Sequence, residues 1–303
     1  MKNRLFKGIG LLLVLAVLCT VSAFADDTVR IGSAAELAAL GGKELTGKIE
    51  LTQDIDMTDV AMEPITSFVG EFNGNGYTVK NLTISAELAE NYTTKGAALF
   101  ATFSGKAHDV VFENPSITLT KGQNVGTAVL CGVVGEDGVT IENVGIVGGS
   151  ISIEAAKTTY ASGLVGYAVN TSLTVKNCFT EADVAYTGSA KPSYNYFGGM
   201  LGYMMNVDLA FENCAVLGDV EAHTGYNIGN AGGFVGIING SNTGHTIDFT
   251  NCYFSGKVTG GNAYGFAYSG RYAYPAITVT GCYYDNEKNK SASSWSPFEC
   301  FGS

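Results

Sequence analysis

The chain is 303 residues long, with 28 acidic against 17 basic side chains and a formal net charge of −11. That balance speaks against nucleic acid or an anionic membrane surface as a partner. Charged residues make up only 15% of the chain while glycine occurs 40 times, which suits stacked short strands and tight turns better than an ordinary mixed domain.

Residues 1–25 read as an export signal. Lys2, Arg4 and Lys7 precede the apolar run Ile9 to Val21, and Ala23-Phe24-Ala25 is a small-residue cleavage site. Cleavage after Ala25 predicts a secreted chain, and no later segment approaches the roughly 20 apolar residues of a membrane span. Residues 26–45 form a lead segment. Within it Ser33-Ala34-Ala35-Glu36 is a capping box, Leu37 to Leu40 follow, and Gly41-Gly42 stop the helix, so residues 33–41 are predicted to be a short helix covering one end of the fold.

Residues 46–285 are repetitive. A block of an apolar residue, a variable one, Asn and an apolar or small residue recurs at Asn81, Asn114, Asn143, Asn177, Asn213 and Asn251, with Gly281 in the seventh copy. The asparagine spacings are 33, 29, 34, 36 and 38 residues. A second block precedes most copies, as in Gly163-Leu164-Val165-Gly166, Gly199-Met200-Leu201-Gly202 and Gly233-Phe234-Val235-Gly236. A third short apolar stretch follows, as in Gly218-Asp219-Val220. Three strands in a period near 34 predict an all-β fold: a right-handed parallel β-helix of about seven coils stacked about 4.8 Å apart. A carboxamide both donates and accepts, so asparagines stacked at a coil corner can bond from rung to rung. Cys178, Cys214, Cys252 and Cys282 share one column with Leu82, Pro115 and Val144, so the position is expected to want a small apolar filler and to hold buried free thiols. Residues 286–303 read as a polar tail.

The lead-in Ile49-Glu50-Leu51-Thr52-Gln53-Asp54-Ile55-Asp56-Met57, then Pro64-Ile65, then Phe68 to Val79, resembles the opening of the GLUG-motif proteins, secreted bacterial β-helices. Gly163-Leu164-Val165-Gly166-Tyr167 is similar to the strand that names the family, and Gly281-Cys282-Tyr283-Tyr284-Asp285 to its array terminus. The likeness covers roughly residues 30–290. It implies a pectate-lyase-like fold, an extracellular or surface role that is often adhesive, and no catalytic residues.

The chemistry legible in the residues is sparse, and no pattern calls for a cofactor. The three histidines, His108, His223 and His245, fall in different coils and read as exposed loop residues. Glu113, Glu142 and Glu212 are expected in one outer column interrupted by Lys176 and Thr250, which reads as a solvated face rather than a carboxylate pair. Asp54, Asp56 and Asp59 are the densest acidic group and a weak Ca²⁺ candidate; bonds from these carboxylates to backbone are the preferred account. Tyr186, Tyr194, Tyr196, Tyr226 and Tyr264 lie in loops expected along one edge of the rod, where exposed rings could stack on sugars or a protein. The leading expectation is therefore a non-catalytic binding or adhesion protein for a polysaccharide or surface glycoprotein. A polysaccharide lyase or glycoside hydrolase, and a purely structural extracellular protein, are the alternatives.

Overall fold

A computed structural model describes residues 28–90, 94–225, 229–239, 244–269, 276–285 and 287–289. The export signal of residues 1–25, Tyr226 and the tail beyond Asn289 lie outside them. The described chain is a parallel β-solenoid of about six turns, because every strand pairing in it is parallel. A broad sheet of 17 strands forms one face and two sheets of six strands each form the others. The second face carries Thr83–Glu87, Ser116–Lys121, Ser150–Ile153, Asp183–Tyr186, Val220–Glu221 and Val258–Thr259. The third carries Lys95–Ala97, Val125–Thr127, Thr159–Ser162, Asn195–Gly198, Gly229–Gly232 and Asn262–Tyr264. Among the described residues the seventh copy, at Gly281, supplies only broad-face strands, Ala276–Thr280 and Tyr283–Tyr284, so six full turns replace the expected seven.

Period-two alternation sends every second residue inward. The register Ile84, Ile117, Ile151, Val184, Val220, Val258 runs down the inside of the second face, and all six are at most 2% exposed. The capping helix is shorter than expected, Ala34–Ala38. Ser33 Oγ accepts the Glu36 N–H, and the Glu36 carboxylate accepts the Gly32 N–H at 2.7 Å. After Ala38 the backbone tightens: Leu40 and Gly41 donate to carbonyls three residues back, and Gly42 at φ 72° turns the chain away. Leu37 and Leu40 remain buried over the end of the core.

The corners explain the asparagines. Asn81, Asn114, Asn143, Asn177, Asn213 and Asn251 all adopt φ between 51° and 56°, and Gly281 sits at 64°. The left-handed region excludes most side chains but tolerates Asn and suits Gly. From that position Asn251 donates to Asn213, Asn213 to Asn177, and Asn177 to Asn143, at 3.1 to 3.2 Å.

The ladder is not one column of seven, however. Asn143 donates to Asp109 Oδ1 at 2.8 Å, and Asp109 is itself left-handed at φ 55°. The register pairs Val144 with Val110 and Glu113 with Val147, so Asn81 and Asn114 stack above Gly148, five residues further round the coil. The 29-residue step from Asn114 to Asn143 marks a change from the later of these two corners to the earlier one. The same slip removes Leu82 and Pro115 from the cysteine column, which reads Val110, Val144, Cys178, Cys214, Cys252, Cys282. It also separates Glu113 from Glu142, which pairs with His108.

Asn213→Gly is expected to lose about 1 kcal/mol, the ladder bonds alone, whereas Asn213→Ala also meets the left-handed penalty and loses about 2–3 kcal/mol. Urea unfolding of the two variants checks the order; equal losses would show that the corner conformation is not what selects asparagine.

The two ends differ. Before Asn81 the chain takes a short cut: after Ile55–Asp56 it runs from Met57 to Ile65 without a named strand, where later turns lay down rungs on the second and third faces. Met57, Met62 and Ile65 are buried and plug the core. Thr83–Glu87 and Lys95–Ala97 are thereby left as the first strands of their sheets. At the other end Asn289, 3% exposed, accepts the Val258 N–H at 2.9 Å and donates to Gly256 O at 3.0 Å, capping the last second-face strand. Among the described residues no helix is long and apolar enough to cross a membrane.

Candidate functional site

The third and broad faces meet at a sharp corner, and their outward columns converge there. The third-face column reads Gly96, Gly126, Tyr160, Tyr196, Asn230, Asn262. The broad-face column reads Thr102, Val133, Tyr167, Tyr203, Ile237. Gly166 brings the backbones together: a Cβ there would lie 2.5 Å from the Gly126 carbonyl carbon, closer than any side chain allows. Rings one residue further along then touch across the corner.

Tyr160 packs on Tyr167 at 4.9 Å, on Tyr203 at 4.8 Å and on Tyr196 at 5.9 Å between ring centroids. Tyr167 and Tyr203 stack at 5.2 Å and 12°. These offset and tilted geometries suit the ring quadrupoles. Together with Ile237 they form a small apolar cluster separate from the main core. Tyr194 extends the cluster outward, stacked on Tyr196 at 6.2 Å and 16° while 47% exposed. The hydroxyls are placed: Tyr203 accepts from Asn239 Nδ2 at 2.7 Å, and Tyr167 bonds to Thr94. Burial, reinforced by the neighbouring phenols, pushes Tyr160 well above the usual tyrosine range, and burial pushes Tyr167 and Tyr203 up. The rings are therefore neutral. Beyond them Asn262 donates to Asn230 at 2.8 Å, extending an amide step along the column. The two columns contain no charged residue.

Of the expected tyrosines among the described residues, only Tyr194 and Tyr196 belong to this cluster. Tyr186 lies on the second face, where its ring meets His223 edge-on at 5.5 Å and its hydroxyl donates to Ala190 O. Tyr264 is 8% exposed and pairs with Gly232, two residues along the strand from the column position Asn262, so it heads a separate column. Side chains alternate along a strand, so tyrosines spaced irregularly in sequence fall on different columns, and no single row of these residues forms. Tyr160, Tyr167 and Tyr203 are not among the expected ligand-binding tyrosines, although Gly166-Tyr167 and Gly202-Tyr203 repeat the glycine–tyrosine pair that builds the cluster.

The remaining expected residues lie elsewhere. His108 is not an exposed loop histidine; it sits in the strand Phe100–Glu113 with its side chain 14% exposed. Its Nδ1 meets Asp109 Oδ2 at 2.7 Å and its Nε2 meets Glu71 Oε1 at 3.1 Å. Those contacts hold both carboxyls below their usual range, and Lys48 adds to the effect on Glu71 and Asn143 to that on Asp109. Glu142, Glu212 and Glu113 each meet a lysine, Lys106, Lys176 and Lys80, at 2.9 to 3.2 Å, exposed pairs of the kind that contribute little.

Asp54 accepts the Thr78 N–H at 2.9 Å. Asp56 accepts the hydroxyl and N–H of Thr58 and the Asn81 amide, which together lower its pKa. Asp59 occupies a left-handed turn at φ 60°. Asp54 and Asp56 thus bond to turn backbone and to the neighbouring rung.

Cys178, Cys214, Cys252 and Cys282 are buried free thiols, each donating to the carbonyl two residues before it, as Cys178 does to Lys176 O at 3.0 Å. Bonding within the column and burial push Cys214 and Cys252 up to about 12.

No family model matches the chain. Over 108 residues it is 32% identical to halomucin of Haloquadratum walsbyi, a stretch that covers 36% of this chain and 1% of halomucin. Its structure is similar to the crystal structure of a candidate immunoglobulin A1 protease from Bacteroides ovatus, with a TM-score of 0.63 and 19% identity, over 90% of this chain and 81% of that one. What the chain shares with that protein at this identity is the fold, a parallel β-solenoid.

Proposed function

We propose that this chain is a secreted, non-catalytic binding or adhesion solenoid of the GLUG-motif type, and that it engages an uncharged carbohydrate through the tyrosine cluster. The observation that carries the reading is the pair Tyr194–Tyr196: an exposed ring stacked on a half-buried one, backed by Tyr160, Tyr167 and Tyr203. Rings already packed on one another lose little conformational freedom when a sugar face lands on them. Placed hydroxyls and amides beside an apolar platform match a ligand with apolar C–H faces and hydroxyl edges. The absence of charge from the two columns, in a chain of net charge −11, favours a neutral glycan over a uronate. Export rests on the basic, apolar and Ala23-Phe24-Ala25 sequence at the start of the chain.

The test is a glycan array probed with the chain lacking residues 1–25, followed by calorimetry on the best neutral glycan. Tyr194→Ala and Tyr196→Ala are each expected to weaken binding by about 1–2 kcal/mol, roughly 5- to 30-fold. Tyr186→Ala, remote from the cluster, should leave it unchanged. An array without signal, or glycan binding indifferent to both cluster variants, would sink the reading.

A further inference from the structure

We propose that the N-terminal notch of the solenoid is a second, independent binding site, which accepts an extended peptide as an added β-strand along Thr83–Glu87. The second-face sheet ends at this strand, while the broad face continues through Glu44–Leu51 and Ser67–Asn73. The short cut from Met57 to Ile65 leaves the next second-face position empty of strand, and cavities of about 560 and 500 Å³ flank it. Thr83 and Asn81 line the first, and Ser85, Ala86, Glu87 and Leu88 line the second.

The direction of the free backbone groups follows from the ladder. Ser116 N–H donates to Leu82 O and Leu88 N–H donates to Lys121 O, so Leu82, Ile84, Ala86 and Leu88 face the next rung. Successive residues point opposite ways in a parallel pair, so the N–H and C=O groups of Thr83, Ser85 and Glu87 face the notch. Among the described residues no backbone partner meets them there. The opposite end of the same sheet shows what such an edge requires: the Asn289 carboxamide supplies one acceptor and one donor to Val258 and Gly256.

A strand edge set in a cavity is the geometry of β-augmentation, in which main-chain bonds supply affinity and side-chain pockets supply choice. Glu63 and Glu87 line the notch with Lys95; Glu87 pairs with Lys121 at 3.5 Å, an exposed contact that a basic side chain of the peptide can share or replace.

The experiment uses the chain lacking residues 1–25 and a labelled, end-blocked peptide Ser-Ile-Thr-Leu-Thr-Lys, the sequence of the rung that already pairs with Thr83–Glu87 on its other side. Saturable binding is expected by fluorescence anisotropy, and N-methylation of alternate peptide residues should abolish it. Ser85→Pro removes an N–H that the existing ladder does not use, so the protein should melt as before while binding falls at least about tenfold. Glu87→Gln should weaken the peptide but not a version with Lys replaced by Ser.

No saturable binding up to about 1 mM, or binding that survives both N-methylation and Ser85→Pro, overturns the proposal. Self-association abolished by Ser85→Pro, without a peptide signal, would assign the edge to a second copy instead. Glycan binding through Tyr194 and Tyr196 is read separately, so either site can fail alone.

Discussion

Phe100→Ala is expected to destabilise the N-terminal half of the solenoid by about 3–5 kcal/mol, the cost of emptying a large buried site that cannot collapse. Phe100 is fully buried and stacks on Phe68 at 5.2 Å and on Phe103 at 4.9 Å, with Phe72 edge-on at 5.4 Å. These rings come from two adjacent rungs, so one deletion strips contacts from both. The surrounding backbone cannot close in, because Phe100 N–H is bonded to Leu130 O and the strand continues to Glu113. Urea unfolding should show a lower midpoint with the slope little changed. A loss below about 1 kcal/mol would mean that the site relaxes, against the rigidity that the rung ladder implies.

Gly105→Ala is expected to be nearly as damaging, for a steric reason. Gly105 has φ 117°, outside the reach of ordinary side chains, and a Cβ there would overlap the Gly70 carbonyl oxygen. Register places Gly47, Gly70 and Gly105 in line, so the obstruction is backbone in a neighbouring rung rather than a movable side chain. Strain and overpacking together amount to about 2–6 kcal/mol. Gly76→Ala is the control: φ is 79° but nothing lies within 4 Å, so only the left-handed penalty of about 1–2 kcal/mol applies. Equal melting temperatures for the two variants would show that the line of glycines is not a packing requirement.

Much of this architecture was legible because a solenoid writes its three-dimensional period into one dimension. The Gly-Leu-Val-Gly and Asn-Cys blocks recur once per coil, and the structure places the cysteines on consecutive rungs. The offset of Asn81 and Asn114 was less visible, because in the first turns a second corner, at Asn81, Asn114 and Gly148, takes the same left-handed conformation and hence the same residue type. Only the short 29-residue spacing distinguished them. The coil count depended on the ends, where Met57 to Ile65 omits two strands without any strong break in composition. The cluster was half legible: Tyr194 and Tyr196 stood out as loop residues, whereas Tyr160, Tyr167 and Tyr203 looked like ordinary strand aromatics. What makes them a site is the closeness of two faces at Gly166 and Gly202, a tertiary fact that spacing along the chain does not report. His108 was misread because its partners Glu71 and Asp109 come from the adjacent rung and the adjacent residue, and neither forms a recognisable motif.

The thiol column gives the folded chain an indifference to its redox surroundings. Disulfide exchange requires a thiolate, and Cys214 and Cys252, pushed up to about 12, stay protonated at pH 7. Stacking that brings sulfurs close enough to join thus also removes the charge that would join them. Among the described residues the rungs are therefore held together by hydrogen bonds and buried free thiols rather than by cross-links.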